Sequence, residues 1–162
     1  MKLLKLAVVA MALVSGSDVL AQSKSTPLTG AWRITYAQTT GPNAATNTSP
    51  QPGMFLFTGN HYSLVAVTGD KARPELPQDP SKATAAELNA TWGPFAANSG
   101  TYEIQGGMLT THPIVAKNTR AMAPGWAGTV YSFKIEGKAL SLTSIKSATT
   151  PNPVTLKLTR IE

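Results

Sequence analysis

The chain has no cysteine. That excludes a disulfide-stapled scaffold, a thiolate zinc site, a cysteine nucleophile and an N-terminal lipid-anchored cysteine. Histidine occurs only twice, too rarely for a three-histidine zinc centre. Charged residues make up 14%, well below the usual figure of about a quarter. No apolar run reaches the ~20 residues that a membrane helix needs. What is present is a 162-residue chain, 42% hydrophobic, which is about one domain's worth and enough to bury a core.

Several chemistries lack their residues. Lys and Arg outnumber Asp and Glu by 14 to 8, a net charge of +6, but the basic residues are scattered rather than clustered with aromatics. That distribution lacks the footprint of a nucleic-acid binder. There is no G-x-S-x-G nucleophile elbow and no glycine-rich strand-to-helix phosphate loop. No Asp/Glu/His spacing matches a metal motif, so no metal or other cofactor is expected. The carboxylates Glu75, Asp79, Glu87 and Glu103 do not form the flanking pair a glycosidase needs. No catalytic residue is assigned, and a binding protein is the leading expectation over an enzyme.

The first segment has the character of a secretory signal peptide. Lys2 and Lys5 precede an apolar stretch over residues 6–14, and Val19 and Ala21 stand at −3 and −1 of a cleavage site before Gln22. The expected organisation is a signal peptide over 1–21, an N-terminal tail over 22–27 and one domain over 28–162. Periplasmic or secreted localisation follows, with no integral membrane segment after cleavage.

Beyond residue 28, period-2 alternation dominates. Residues 30–36, 54–57, 62–67, 101–104, 108–114, 129–135, 139–145 and 154–161 each predict a strand, and turn residues separate most of them. The spacing predicts one helix over 81–97, capped by Ser81, with Leu88, Trp92 and Phe95 on one apolar stripe. Eight sequential strands joined by short turns avoid open edges by closing into an antiparallel up-and-down β-barrel. The fold expected is therefore all-β, an eight-stranded barrel with one inserted helix.

Two features converge on closure. Gly30-Ala31-Trp32 opens the first strand, and Arg160 ends the last strand on the phase of Leu156 and Leu158. A charge on a core-facing phase needs a partner, and closure would set the guanidinium over the Trp32 indole. This G-x-W and arginine pairing resembles the lipocalin and calycin signature. Residues 30–37, 53–67, 99–103, His112, 126–129 and 136–143 resemble, in order and spacing, the bacterial lipocalin-like domain family over most of 28–162. The resemblance implies a small barrel with an internal cavity and no set reaction.

The interior positions predicted to contact a ligand are Tyr36, Phe57, Tyr62, Tyr102, His112, Tyr131 and Phe133, a mixed apolar and hydroxyl lining. Leu88, Trp92 and Phe95 are the candidate lid. His112 is either a hydrogen-bonded interior or rim residue or a group that orients ligand or moves a proton. The function expected is an exported barrel that binds a small hydrophobic molecule. The alternative is a barrel isomerase or cyclase using His112 or a tyrosine as acid/base. A third possibility is a protein-binding module using the barrel's exterior.

Overall fold

The computed structural model describes residues 25–147 and 150–162; the expected signal peptide lies outside the described residues. Nine strands and one helix follow in order: β1 (Gly30–Thr39), β2 (Ala45–Asn47), β3 (Gly53–Thr58), β4 (His61–Val67), α1 (Ala85–Trp92), β5 (Phe95–Gln105), β6 (Met108–Ala116), β7 (Thr129–Glu136), β8 (Ala139–Ser144) and β9 (Val154–Arg160). From β3 to β9 every strand pairs antiparallel with its sequence neighbour, and β1 pairs with both β3 and β9. Eight strands thus close a barrel, as the alternation predicts. The three-residue β2 adds to β1 at Ala37–Thr39, beyond the point where β3 leaves it.

Turn chemistry explains the meander. Gly106 and Gly107 both hold positive φ, 58° and 77°, the backbone that suits a two-residue hairpin between β5 and β6. Inward positions then follow the pleat. Phe55 and Phe57 of β3 stack at 5.5 Å, and Phe57 meets Tyr102 edge-on at 5.2 Å. Leu109, Leu140, Leu142 and Leu158 complete the buried core around Trp32.

Two irregularities re-aim side chains. In β1 the register slips at Thr35: Ile34 faces Leu158, but Tyr36 faces Lys157. An extra residue in one strand inverts the phase beyond it. In β6 the slip falls at Ile114, which is 67% exposed, between Pro113 opposite Gly100 and Val115 opposite Ser99.

The helix is shorter than the sequence spacing predicts. Thr84, not Ser81, is its N-cap: Thr84 Oγ1 accepts from the Glu87 amide while the Glu87 carboxylate accepts from the Thr84 amide. Asp79 instead caps a 3₁₀ turn at Pro80–Lys82, with its carboxylate accepting from Ser81. After Gly93-Pro94 the chain turns at once into β5, where Phe95 pairs with Val67. The alanines of 96–97 are therefore strand residues, since sheet pairing overrides their helical propensity.

Candidate functional site

A pocket opens into the upper half of the barrel. A cavity of about 370 Å³ lies between β3, β4, β5, β6 and β7 and the segment that follows β6. This is toward the small end of ligand pockets. Its walls are Phe55, Tyr62, Leu64, Phe95, Pro113 and Tyr131, with Asn98, Thr111 and Thr129 adding polar atoms. Most sit at inward positions of their strands: Tyr62 opposite Gly100, Leu64 opposite Asn98, Thr111 opposite Thr129; Phe95, opposite Val67 on the other phase, reaches the cavity at the start of β5.

The polar groups are largely paired among themselves. Tyr62 donates its hydroxyl to Asn98 Oδ1 at 2.6 Å, and Thr111 Oγ1 donates to the Thr129 carbonyl at 3.3 Å. Burial pushes the Tyr62 hydroxyl up to about 12, partly offset by its hydrogen bond with Thr111. Burial likewise pushes Tyr131 up to about 12, with the nearby Tyr62 charge adding to it. At neutral pH both phenols are held as proton donors, not bases.

Below pH about 10 a phenol is protonated in folded and unfolded chains alike. Between there and the folded value of about 12, the unfolded chain holds fewer protons, so stability falls as pH rises. Unfolding free energies across that window are expected to drop by on the order of 2 kcal/mol per tyrosine. Tyr62→Phe should remove one share, and adding Tyr131→Phe should flatten the curve. An unchanged curve in the double variant would contradict burial as the cause.

The cavity mouth is built by loops. Lys117 donates its ammonium protons to the carbonyls of Trp92, of Gly93 at 3.0 Å and of Phe95 at 2.8 Å. A cation at the C-terminal end of α1 complements the helix dipole. Arg73 lies 5.0 Å from the Phe95 ring and 6.0 Å from that of Trp92, holding its loop against the same corner. On the other side a 3₁₀ turn at Thr119–Met122 leads to Trp126. The Trp126 indole N–H is buried and finds no acceptor among the described residues.

The opposite end is sealed. Trp32 is fully buried and donates its indole N–H to the Leu28 carbonyl at 2.7 Å. The Arg160 guanidinium carbon lies 4.1 Å from the Trp32 ring. The same guanidinium donates to the carbonyls of Thr29 and, at 3.0 Å, of Pro27. Gly30 makes room for it: φ is +126°, and a Cβ there would come within 2.6 Å of Arg160 Nη1 and of the Glu162 carbonyl oxygen. The barrel is lipocalin-like. First and last strands close on each other, with that indole and guanidinium stacked at the sealed end.

No protein-family model matches the chain, and no curated protein matches it by sequence. Among solved structures it is similar to a lipocalin-like protein from Bacteroides uniformis, at 10% identity and a TM-score of 0.43. That match covers 83% of this chain and 98% of the other.

Within the lipocalin-like barrel, the residues singled out from sequence separate into groups. Tyr62, Tyr131 and Phe95 line the cavity. Phe57 and Tyr102 lie inside but in the packed lower half, where the Tyr102 hydroxyl meets the Gly59 carbonyl at 2.8 Å and Thr26 Oγ1 at 2.6 Å. Phe133 also packs against the core rather than the cavity. Tyr36 is not a lining residue: the β1 bulge turns it outward, beneath Lys157 Nζ at 4.8 Å. His112 also departs from expectation. It pairs with Thr101 on the outer face and meets the exposed Glu103 carboxylate at 3.4 Å, because Leu109 and Thr111 take the inward phase of β6. An isomerase using His112 therefore lacks its acid/base at the cavity, and the lining tyrosines remain protonated.

The lid residues are corrected as well. Leu88 and Trp92 are 39% and 48% exposed, and the buried residue of α1 is Thr91, whose hydroxyl donates to the Pro74 carbonyl at 3.0 Å. Only the turn after the helix, through Gly93 and Phe95, reaches the cavity. The mouth residues Lys117 and Trp126 stand in a stretch without periodicity, although Trp126 opens one of the segments that resemble the family. Among the described residues no cluster of His, Asp or Glu is placed to hold a metal ion, and no helix is long and apolar enough to cross a membrane.

Proposed function

We propose that this chain is a binding protein that takes a small hydrophobic molecule into the upper half of its lipocalin-like barrel, entering past Phe95, Lys117 and Trp126. The observation that carries this is the cavity between Phe55, Tyr62 and Tyr131, a space whose aromatic and aliphatic walls are interspersed with almost as much polar surface, inside a barrel whose other end is packed. Such a composition favours burial of apolar ligand surface, with orientation left to single hydrogen bonds. The signal-like pattern over residues 1–21 supports export to the periplasm or medium, where the intact mass of the exported chain would begin at Gln22.

The test is a titration with 1-aminoanthracene, an uncharged fluorophore. One saturable site is expected. Ala96 faces inward opposite Ala66 and lines the cavity, so Ala96→Trp should fill the space. That variant is expected to weaken the fluorophore by at least about tenfold while retaining a cooperative melt. Failure of the wild-type protein to bind, or equal binding by the filled variant, would overturn the proposal.

A further inference from the structure

Given the binding role just proposed, on which this inference rests, the donors that line the cavity decide what it selects. Most are already committed. Tyr62 gives its only proton to Asn98 Oδ1, and Thr111 gives its own to the Thr129 carbonyl. The three protons of the Lys117 ammonium go to the carbonyls of Trp92, Gly93 and Phe95. The Trp126 indole nitrogen is sealed off, out of reach of anything in the cavity. Asn118 stands exposed at the mouth, where water competes for its amide. The Tyr131 and Thr129 side chains hydrogen-bond each other, and a hydroxyl turns to donate or accept as its partner requires.

Asn98 differs from all of these. It stands on the inward phase of β5, opposite Leu64 of β4, and lines the cavity. Its Oδ1 accepts from Tyr62 at 2.6 Å. That contact fixes which way the amide faces, because the phenol is held protonated and Oδ1 is the acceptor it meets. The Nδ2 group is left without a protein partner among the described residues, and it is not sealed as the Trp126 nitrogen is. A locked amide of this kind donates only. A hydrocarbon filling the space would strip water from Nδ2 and offer nothing in return, and an unsatisfied buried donor is costly.

We infer that the cavity selects a molecule whose apolar frame carries a carbonyl oxygen, seated so that this oxygen accepts from Asn98 Nδ2. Asn98 is then a specificity-determining residue, and Tyr62 is the positioning residue that aims its amide.

Two probes of one shape test this: 2-acetylnaphthalene, and 2-isopropenylnaphthalene, in which a methylene replaces the carbonyl oxygen. Both are titrated by calorimetry into the full chain and into Asn98→Leu, which keeps the side chain's size. Each probe's own hydration is the same against either protein, so it cancels from the comparison. The ratio of acetyl to isopropenyl affinity is expected to be about tenfold higher in the wild-type protein than in the variant. A merely structural role for Asn98 would weaken both probes alike and leave the ratio unchanged. Should the variant fold poorly, the wild-type protein supplies a second readout: the Asn98 side-chain amide protons should move downfield with 2-acetylnaphthalene and much less with 2-isopropenylnaphthalene. An unchanged ratio, or amide resonances that respond equally to the two probes, would overturn the inference while leaving the cavity reading intact. No binding of either probe would overturn both.

Discussion

Trp32→Ala is expected to be the most damaging single substitution in the chain, costing about 3–5 kcal/mol. The indole is fully buried at the sealed end, among Leu28, Phe57 and Leu158. Truncation leaves a cavity that a closed sheet cannot collapse around, because each neighbouring strand is held by hydrogen bonds on both edges. It also strands the Leu28 carbonyl, which accepts the indole N–H at 2.7 Å. At this chain length the thermal midpoint should fall by roughly 10–20 °C. Trp32→Phe keeps an aromatic face for Arg160 and should cost less. A midpoint within a few degrees of wild type for the alanine variant would mean that the indole does not seal the barrel.

Arg160→Met is expected to have the next largest effect, about 2–4 kcal/mol. Methionine can cover part of the Trp32 face, so apolar contact is mostly kept. What is lost is the attraction of the guanidinium to the ring and its bonds to the Pro27 and Thr29 carbonyls. Those bonds tie residues 27–29 across the barrel's end, and Leu28 is fully buried between them. Chemical denaturation measures the loss. Repeating the substitution in the Trp32→Ala background should cost less, by about 1 kcal/mol, because the ring partner is already gone. Strict additivity would show that indole and guanidinium do not interact. Arg160→Lys keeps the charge without the planar fork and should recover only part of the stability.

How far the sequence foretold this molecule depends on the element. Strands with clear alternation and one apolar face, such as β7 with Tyr131, Phe133 and Ile135, were legible because packing enforces a period of two. Closure was legible too: Arg160 on a core phase and Trp32 near the other end have no common explanation in an open sheet. The failures have equally local causes. Tyr36 lies beyond a bulge at Thr35, and one inserted residue inverts a face without disturbing the pattern of residue types. In β6 both phases mix apolar and polar residues, so alternation alone did not decide between His112 and Thr111. The start of β5, Phe95 to Gly100, is rich in alanine and follows a true helix, and only its pairing with β4 makes it a strand. β2 is three residues within a Thr- and Asn-rich loop and carries no periodicity. The cavity mouth depends on loops, where Lys117 and Trp126 are placed by tertiary contacts, not by spacing.

Closure at one end and space at the other are the two halves of a single architecture. Leu28, Trp32, Tyr102 and Arg160 fill the lower barrel, so a ligand has only the upper half to enter. Substitutions at the sealed end are therefore expected to act on stability, and a cavity-filling change at Ala96 on binding.

The most direct measurement is a crystal structure of the protein under xenon pressure, since xenon settles in unfilled apolar space. Xenon density is expected among Phe55, Tyr62 and Tyr131, with none beside Trp32. Side chains from opposite walls meeting among those three residues, with no xenon between them, would mean a solid barrel and would contradict the proposed binding cavity.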